Sequence, residues 1–290
     1  MAKKFAEFLS FPEEEANVIV VGVPLGKDAK YSLSSIREVS DFVDVFDVDR
    51  KVNMLENVRI GDIGDIELKK LSDITDGVKK IIDDGKFPLI LGKSHLLSLY
   101  TLQAFPKNTK LVIFDAHGDI KNEYSDELSE ESLEPLKFDE KFSKKYNHTT
   151  WVRRASEIIG SENILTIGLR DCDENDFQFI VEKNILYITP NQIRKNIELM
   201  KEKIENFVKD SAIYISLDID VFDPSIAPAV VIAEPNGLIF SEFLNLIDIV
   251  TEGNLVGMDL VEIKPMKENK ITEFLAVESI FQILSRVMKK

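Results

Sequence analysis

The chain is short of cysteine and of long apolar runs, and both shortages limit what it can be. Its single cysteine, Cys172, cannot form a disulfide within the chain, which excludes a disulfide-stapled extracellular framework and favours a reducing compartment. No apolar run approaches the roughly 20 residues of a membrane-spanning helix. Glu7 and Pro12 interrupt the N-terminal stretch before the apolar core of a signal peptide can form. We therefore expect a cytoplasmic protein without a membrane partner.

Positive charge is also scarce. The chain has 51 Asp and Glu residues against 36 Lys and Arg residues, which gives a formal net charge of -15. Such a charge repels nucleic acid, so we expect no nucleic-acid partner, and a small cationic substrate would suit the field better. Taken alone, however, the charge is explained more simply as a means of keeping the protein in solution.

Linkers rich in glycine, serine or proline are missing, and the chain shows no internal repeat. We therefore expect a single domain over residues 1–290. Short apolar runs that end at Gly or Asp alternate with segments of helical spacing, which predicts an α/β fold: a three-layer αβα arrangement with a mostly parallel central sheet. The predicted strands are 17–22, 87–92, 110–115, 164–168, 185–189, 212–218 and 255–260. The predicted helices are 73–84, 96–104, 151–159, 176–183, 191–208, 241–251 and 271–288.

The least regular stretch, residues 124–145, is rich in Glu, Asp, Ser and Lys. Its composition is typical of a solvated surface loop. Because it leads directly into His148, it is also placed to fold over a site.

Candidate metal ligands follow two of the predicted strands. Asp115, His117 and Asp119 come after one strand, and two more aspartates, Asp218 and Asp220, end another. If the chain stays extended, alternation puts the members of each set on one face, beyond the carboxyl ends of the strands where ligands gather in a parallel sheet. Asp223 follows close behind in the same stretch.

Each of these residues alone could be an ordinary surface aspartate or a hydrogen-bonded histidine. Together, so many carboxylates would repel one another strongly unless cations neutralise them. Carboxylate and imidazole ligands suit Mn²⁺, with Zn²⁺ as the second possibility, and the lack of further cysteines excludes a thiolate site. A pair of such ions acidifies a bound water, which predicts hydrolysis.

Three longer motifs are similar to the signatures of the arginase/agmatinase (ureohydrolase) family in sequence, order and spacing, and residues 62–65 resemble a further family element. The three motifs are Asp115-Ala-His-Gly-Asp119, Ser216-Leu-Asp-Ile-Asp-Val-Phe-Asp-Pro224 and Gly257-Met-Asp-Leu-Val-Glu262. The resemblance covers nearly the whole chain. It implies an arginase/deacetylase-like fold and a homo-oligomer, either a trimer or a hexamer.

Carried over by position, the resemblance implies two Mn²⁺ ions per chain. It assigns one ion to His95, Asp115, Asp119 and Asp218, and the other to His117, Asp115, Asp218 and Asp220. Glu262 matches the glutamate that pairs with the substrate guanidinium, for which a carboxylate is a fitting partner. His148 matches the histidine that moves protons near the metals. A solvated glutamate and a surface loop histidine are the competing interpretations of these two residues.

The implied mechanism is attack of a metal-bridging hydroxide on the guanidinium carbon, with Asp220 helping to hold the tetrahedral intermediate. Collapse of that intermediate releases urea and an amine. His148, Asp220 and Glu262 are then the catalytic residues, and Glu262 and His148 also bind substrate. The likeness is closest to agmatinases, for which agmatine gives putrescine in polyamine biosynthesis.

The chain departs from the family pattern beside the expected pocket. Gly92-Lys-Ser-His95 stands where Gly-Gly-Asp-His is usual, and residues 229–233 are apolar where the family has glycines and threonines. Lys264 replaces a usual asparagine and Trp151 a usual proline. The substrate is therefore left open among agmatine, arginine, guanidinobutyrate and a formimino compound such as formiminoglutamate.

Three other interpretations of these motifs compete with this one. A non-catalytic, metal-binding family member is the alternative from a different functional class. The related deacetylase architecture pairs one zinc ion with adjacent histidines, which this chain lacks. A calcium loop from Asp171 to Glu182 would need glycine at Asp176, so a capped helix start is the better prediction there.

Overall fold

The fold is built on one parallel sheet of eight strands. The computed structural model describes residues 3–287. In chain order the strands are β1 (Val18–Val23), β2 (Phe46–Asp47), β3 (Val52–Asn53), β4 (Ile60–Asp65), β5 (Phe87–Gly92), β6 (Lys110–Phe114), β7 (Ile164–Ile167), β8 (Leu186–Ile188), β9 (Ala212–Asp218) and β10 (Asn254–Val261). The sheet order is β4-β1-β5-β10-β9-β6-β7-β8, and every neighbouring pair is parallel. The short strands β2 and β3 form a separate antiparallel pair.

Helices cover both faces of this sheet. They are α1 (Ala29–Ser40), α2 (Ser72–Asp83), α3 (Leu96–Leu102), α4 (Glu127–Glu131), α5 (Glu140–Lys145), α6 (Trp151–Ile159), α7 (Glu174–Glu182), α8 (Pro190–Lys195), α9 (Ile197–Val208), α10 (Phe240–Val250) and α11 (Ile271–Val287). Within residues 3–287, no helix combines the length and the apolar composition needed to cross a membrane.

Alternation along the strands creates two apolar cores, one on each face. In β6, Leu111 and Ile113 pack in one core with residues of α2, α3 and α6. Val112 and Phe114 point the other way, into a core shared with α1, α9, α10 and α11. The three-layer αβα fold is therefore confirmed. The prediction that residues 1–290 form one domain stays a prediction, with this single sheet as its support.

The structure contains the β2–β3 pair and the helices α4 and α5, for which no element was predicted. It differs from the predicted elements in three further places. Strand β4 was missed because Gly61, Asp62 and Gly64 interrupt its apolar pattern; it lies at the sheet edge, where only one neighbour constrains it. Helix α1 was missed because serines occupy part of its buried face. The helix predicted over 191–208 is two helices, and the side chain of Asn196 caps the second by accepting from the Leu199 N–H at 3.1 Å.

Candidate metal centre

The candidate ligands lie beyond the carboxyl ends of four adjacent strands. His95 follows β5, and Glu262 comes directly after β10. Asp218 is the last residue of β9, and Asp115 comes directly after β6. Since β5, β10, β9 and β6 are consecutive in the sheet, their ends bring these side chains to one place. The two aspartate motifs follow neighbouring strands, since β6 pairs with β9.

The local backbone differs from the extended geometry that the sequence suggested, so the prediction of alternation beyond the strands is wrong. β6 ends at Phe114, and Asp119 adopts a left-handed conformation with φ of 47°. Asp220 lies in a short 3₁₀ helix, Ile219–Val221, that follows β9. Tight turns bring the side chains together instead: the carboxylate of Asp115 accepts from the His117 N–H at 2.6 Å, and that of Asp218 from the Asp220 N–H at 2.9 Å.

The first ligand cluster surrounds His95. Its Nδ1 atom lies 3.1 Å from Asp115 Oδ2, 3.3 Å from Asp119 Oδ2 and 3.2 Å from Asp218 Oδ2. His95 Nδ1 and Asp115 Oδ2 are buried and have no hydrogen-bond partner among residues 3–287. Buried polar atoms without a partner are rare in folded proteins, and a cation would satisfy both of these. The donor set therefore fits a divalent metal ion.

The opposite nitrogen of His95 is held by a buried chain of hydrogen bonds. Its Nε2 lies 2.9 Å from the Ser216 hydroxyl, which donates to Asp259 Oδ1 at 2.8 Å. Asp259 also accepts from the Tyr214 hydroxyl at 2.5 Å. Because the Ser216 proton is directed to Asp259, the hydroxyl accepts from His95 Nε2–H. In the neutral imidazole, Nδ1 is therefore the unprotonated nitrogen and faces the carboxylates, as a metal ligand requires.

The second cluster surrounds His117 and shares Asp115 with the first. His117 Nδ1 lies 2.9 Å from Asp220 Oδ2 and 3.5 Å from Asp115 Oδ1. The other oxygen of Asp115, Oδ2, belongs to the His95 cluster. One carboxylate thus contributes one oxygen to each of two neighbouring clusters, which is the arrangement that a bridging ligand needs.

Burial and mutual repulsion shift the pKa values of these groups strongly. Burial raises the pKa of Asp218 well above its usual value, and the charges of Asp220 and Asp115 raise it further. Burial also raises the pKa of Asp119. Burial lowers the pKa of His95, but the three surrounding carboxylates outweigh this effect and raise it well above that of free histidine. Without a metal, the cluster therefore retains protons in place of the missing positive charge.

Trp151 is a contributor to the site that the sequence did not reveal. Its side chain is fully buried, and the indole Nε1–H donates to Asp119 Oδ2 at 3.0 Å. The ring also packs against the His95 imidazole, with the ring centroids 4.4 Å apart. Trp151 therefore orients two candidate ligands: its N–H holds Asp119, and its ring packs against His95. The sequence offered one signal for this role, since Trp151 stands where the family usually has proline. The sequence alone could not show that the side chain contacts His95.

Arg170 is a second contributor that the sequence did not reveal. Its guanidinium donates to the backbone carbonyls of Asp220 and Glu234 at 2.8 Å and 2.9 Å. These bonds join the 3₁₀ helix that carries Asp220 to the loop that follows it.

A cavity of about 430 Å³ opens onto both clusters. His148 lines it, and its Nδ1 is buried without a hydrogen-bond partner in the described chain, so this histidine faces the site. The divergent loop 229–233 contributes Val231 and Ile232 to the wall. The expectation of a solvated loop over residues 124–145 is wrong, because the segment forms α4 and α5. The segment does lie beside the site, and it contributes Leu128, Glu131 and Ser132 to the cavity wall.

Glu262 reaches the same cavity from the end of β10 in a conformation that costs energy. Its φ is 64°, in the left-handed region that residues other than glycine and asparagine seldom adopt. Its Oε1 accepts from the His95 N–H at 2.9 Å, and its Oε2 lies 3.1 Å from Lys93 Nζ. Burial raises the pKa of Glu262, but Lys93, His148 and the backbone N–H of His95 together outweigh it, and the net pKa lies below the usual value.

Two other sequence features lie outside the clusters. Asp223 accepts from the backbone N–H groups of Ser225 and Gly237 at 3.0 Å and 3.1 Å, and it shapes the turn after Asp220. The proposed calcium loop is instead a helix start, as predicted, since Asp173 caps α7 by accepting from the Asp176 N–H at 2.9 Å.

Comparison with known proteins gives consistent matches over nearly the whole chain. A family model described as the arginase family matches residues 16–285. The chain is 30% identical over 276 residues to an agmatinase from Bacillus anthracis, with 88% of this chain and 86% of that protein covered. An agmatine ureohydrolase structure from Thermoplasma volcanium has a TM-score of 0.81 at 27% identity, with 99% and 95% covered. A formiminoglutamase structure from Trypanosoma cruzi with manganese has a TM-score of 0.82 and covers 100% of both chains, but at 17% identity it shows the fold alone.

Proposed function

Because the chain belongs to the arginase family and is a hydrolase, we propose that it cleaves a C–N bond of a guanidino compound and releases urea. The observation that carries this proposal is the pair of ligand clusters joined by Asp115. Two imidazoles and four carboxylates meet there, and the cavity gives a small molecule access to them.

We propose that two Mn²⁺ ions bind at the clusters. Bound ions of this kind supply Lewis acidity, which turns water into a nucleophile near neutral pH and stabilises charge that develops during attack. Manganese is supported by the carboxylate and imidazole donors of this chain and by its presence in the related Trypanosoma cruzi structure. One ion would be held by His95, Asp115, Asp119 and Asp218, and the other by His117, Asp115, Asp218 and Asp220.

The chain's own residues would divide the remaining work. Glu262, in the cavity wall, would accept hydrogen bonds from the N–H groups of the substrate. His148, also in the wall, would carry a proton to the amine that leaves. Asp220 would accept a hydrogen bond from the substrate while the reacting carbon is tetrahedral. Val231 and Ile232 would give the substrate an apolar contact in the cavity wall.

Agmatine is the substrate that the sequence relatives favour, because agmatinases are among the proteins that the chain resembles at about 30% identity. Urea and putrescine would then be the products. A cytoplasmic location and a homo-oligomeric assembly, as a trimer or hexamer, belong to the same proposal.

The test is urea release from a panel of guanidino compounds by protein loaded with Mn²⁺. Asp115→Asn removes a carboxylate charge from both clusters at once, and we expect it to abolish urea release. Asp223→Asn is the matched control, since this aspartate lies in the same region but outside the clusters, and we expect it to keep most of the activity. Absence of urea from every compound, with manganese bound, would favour the non-catalytic alternative.

A further inference from the structure

A lysine of the chain already occupies the carboxylate that would receive a guanidinium. Lys93 Nζ lies 3.1 Å from Glu262 Oε2, and the backbone N–H of His95 lies 2.9 Å from Oε1. Both oxygens of Glu262 therefore have a partner. The side chains of Lys93 and Glu262 are 11% and 14% exposed, so water screens their attraction only weakly. The backbone strengthens the link, because the Glu262 N–H donates to the Lys93 carbonyl at 3.0 Å.

Outside the metal clusters, the two glutamates of the cavity wall are each paired with a lysine. Lys27 pairs with Glu131, and Lys93 pairs with Glu262. Lys264 also lines the cavity and has no carboxylate within 4.0 Å in the described part of the chain. Asp28 is the remaining wall carboxylate, but it is exposed to solvent, where its charge is screened. Outside the metal clusters, the wall residues within 3–287 thus include three lysines and no buried carboxylate that is free for a second cation.

We propose that Lys93 determines specificity by selecting a guanidino substrate that also carries a carboxylate. This inference rests on the proposed release of urea from a guanidino compound, and it replaces agmatine, which sequence similarity alone favours, with a substrate of this acidic class. Glu262 has lone pairs for further donors, but a second buried cation beside it would leave one positive charge uncompensated, so a bound guanidinium competes with Lys93 for this carboxylate. Displacement leaves the Lys93 ammonium in the cavity without its partner, and an unpaired charge that is mostly buried is costly. A carboxylate on the substrate gives that ammonium a new partner, whereas the ammonium of agmatine adds a second repelled cation.

Two substrates of matched length separate these cases. Agmatine and 4-guanidinobutyrate share the guanidino group and three methylenes, and they differ in whether an aminomethyl group or a carboxylate ends the chain. For the wild-type protein with Mn²⁺ we expect kcat/KM for 4-guanidinobutyrate to exceed that for agmatine by tenfold or more. In Lys93→Met, which keeps the length of the side chain and removes its charge, we expect this ratio to fall at least tenfold. The KM for agmatine should fall, and the KM for the acid should rise.

Lys264→Met is the matched control, because it removes a wall lysine that has no ion pair. We expect the ratio in this variant to stay within about threefold of the wild type. If the ratio of kcat/KM values changed equally in Lys93→Met and Lys264→Met, the effect would reflect only the total charge of the cavity, and the role of Lys93 would be overturned. A ratio unchanged by Lys93→Met would overturn it as well.

The wild-type protein alone also decides the matter if Lys93→Met does not fold. Urea release with agmatine preferred tenfold over the acid would overturn the inference while leaving the proposed hydrolysis intact. Urea from neither compound would also overturn the inference, and urea from no member of the guanidino panel, in protein shown to bind manganese, would contradict the proposed function as well.

Discussion

Removal of the Ser216 hydroxyl tests how the buried hydrogen bonds behind His95 support the metal centre. In Ser216→Ala, His95 Nε2 loses its contact at 2.9 Å and Asp259 Oδ1 loses its contact at 2.8 Å. Both groups lie in the core, where His95 is 1% exposed and Asp259 is 0% exposed. A buried polar group left unsatisfied costs about 1 to 3 kcal/mol. With two such groups affected, we expect the free energy of unfolding to fall by about 2 to 6 kcal/mol.

The same change should weaken metal binding. Without Ser216, nothing fixes which ring nitrogen of His95 carries the proton, so part of the population presents Nδ1–H to the ion. Loss of a group that orients a ligand typically weakens metal affinity about 10- to 100-fold. We expect a loss of this size for Mn²⁺, measured by competition with a chelator of known affinity on the folded variant.

Ser98→Ala is the control for this experiment. The Ser98 hydroxyl lies 3.1 Å from the Ser216 hydroxyl and does not contact His95, so its loss should reduce stability by about 1 kcal/mol and leave manganese affinity unchanged. If Ser216→Ala were destabilised but bound manganese as tightly as the wild type, the hydrogen-bond chain would have no part in orienting His95.

Three further predictions concern the surroundings of the site. Trp151→Phe keeps the ring on His95 but removes the indole donor to Asp119 Oδ2, so manganese affinity in chelator competition should fall several-fold; an unchanged affinity would contradict this role. Because the pKa values of Asp218 and His95 are raised in the metal-free site, manganese should displace protons and bind more tightly as pH rises from 6 to 8. Calorimetry in buffers of different ionisation enthalpy measures that release, and zero release would refute it. Arg37→Met leaves the buried Asp62 carboxylate unpaired, so denaturant melts should show a loss of about 3 to 5 kcal/mol without a loss of manganese affinity.

Most strands and helices of the fold could be predicted from the sequence, because apolar runs and amphipathic periodicity are local signals. β9 and α6 were predicted at their observed bounds, whereas β4 was hidden by its glycines and by its place at the sheet edge. Edge strands and helices with polar buried residues depend on tertiary contacts, such as the ion pair between Arg37 and Asp62 at 2.7 Å. Those contacts cannot be read from local composition.

The candidate ligands were predictable as a set, but their geometry was not. Residue type and position at the strand ends identified Asp115 and Asp218. The turns that orient their side chains do not follow the two-residue alternation of a strand, so their geometry could not be predicted. The pairing of Lys93 with Glu262 joins residues 169 positions apart and requires the neighbouring ends of β5 and β10. The sequence showed that Lys93 was unusual, and only the structure shows which carboxylate it contacts.

Anomalous diffraction at the manganese edge shows whether Asp115 joins two cation sites. Crystals grown with Mn²⁺ should show two peaks per chain, separated by roughly 3.5 to 4 Å as in other two-metal sites. One peak should lie beside His95 and the other beside His117, with an oxygen of Asp115 on each. A single peak, or peaks away from these two histidines, would contradict the account.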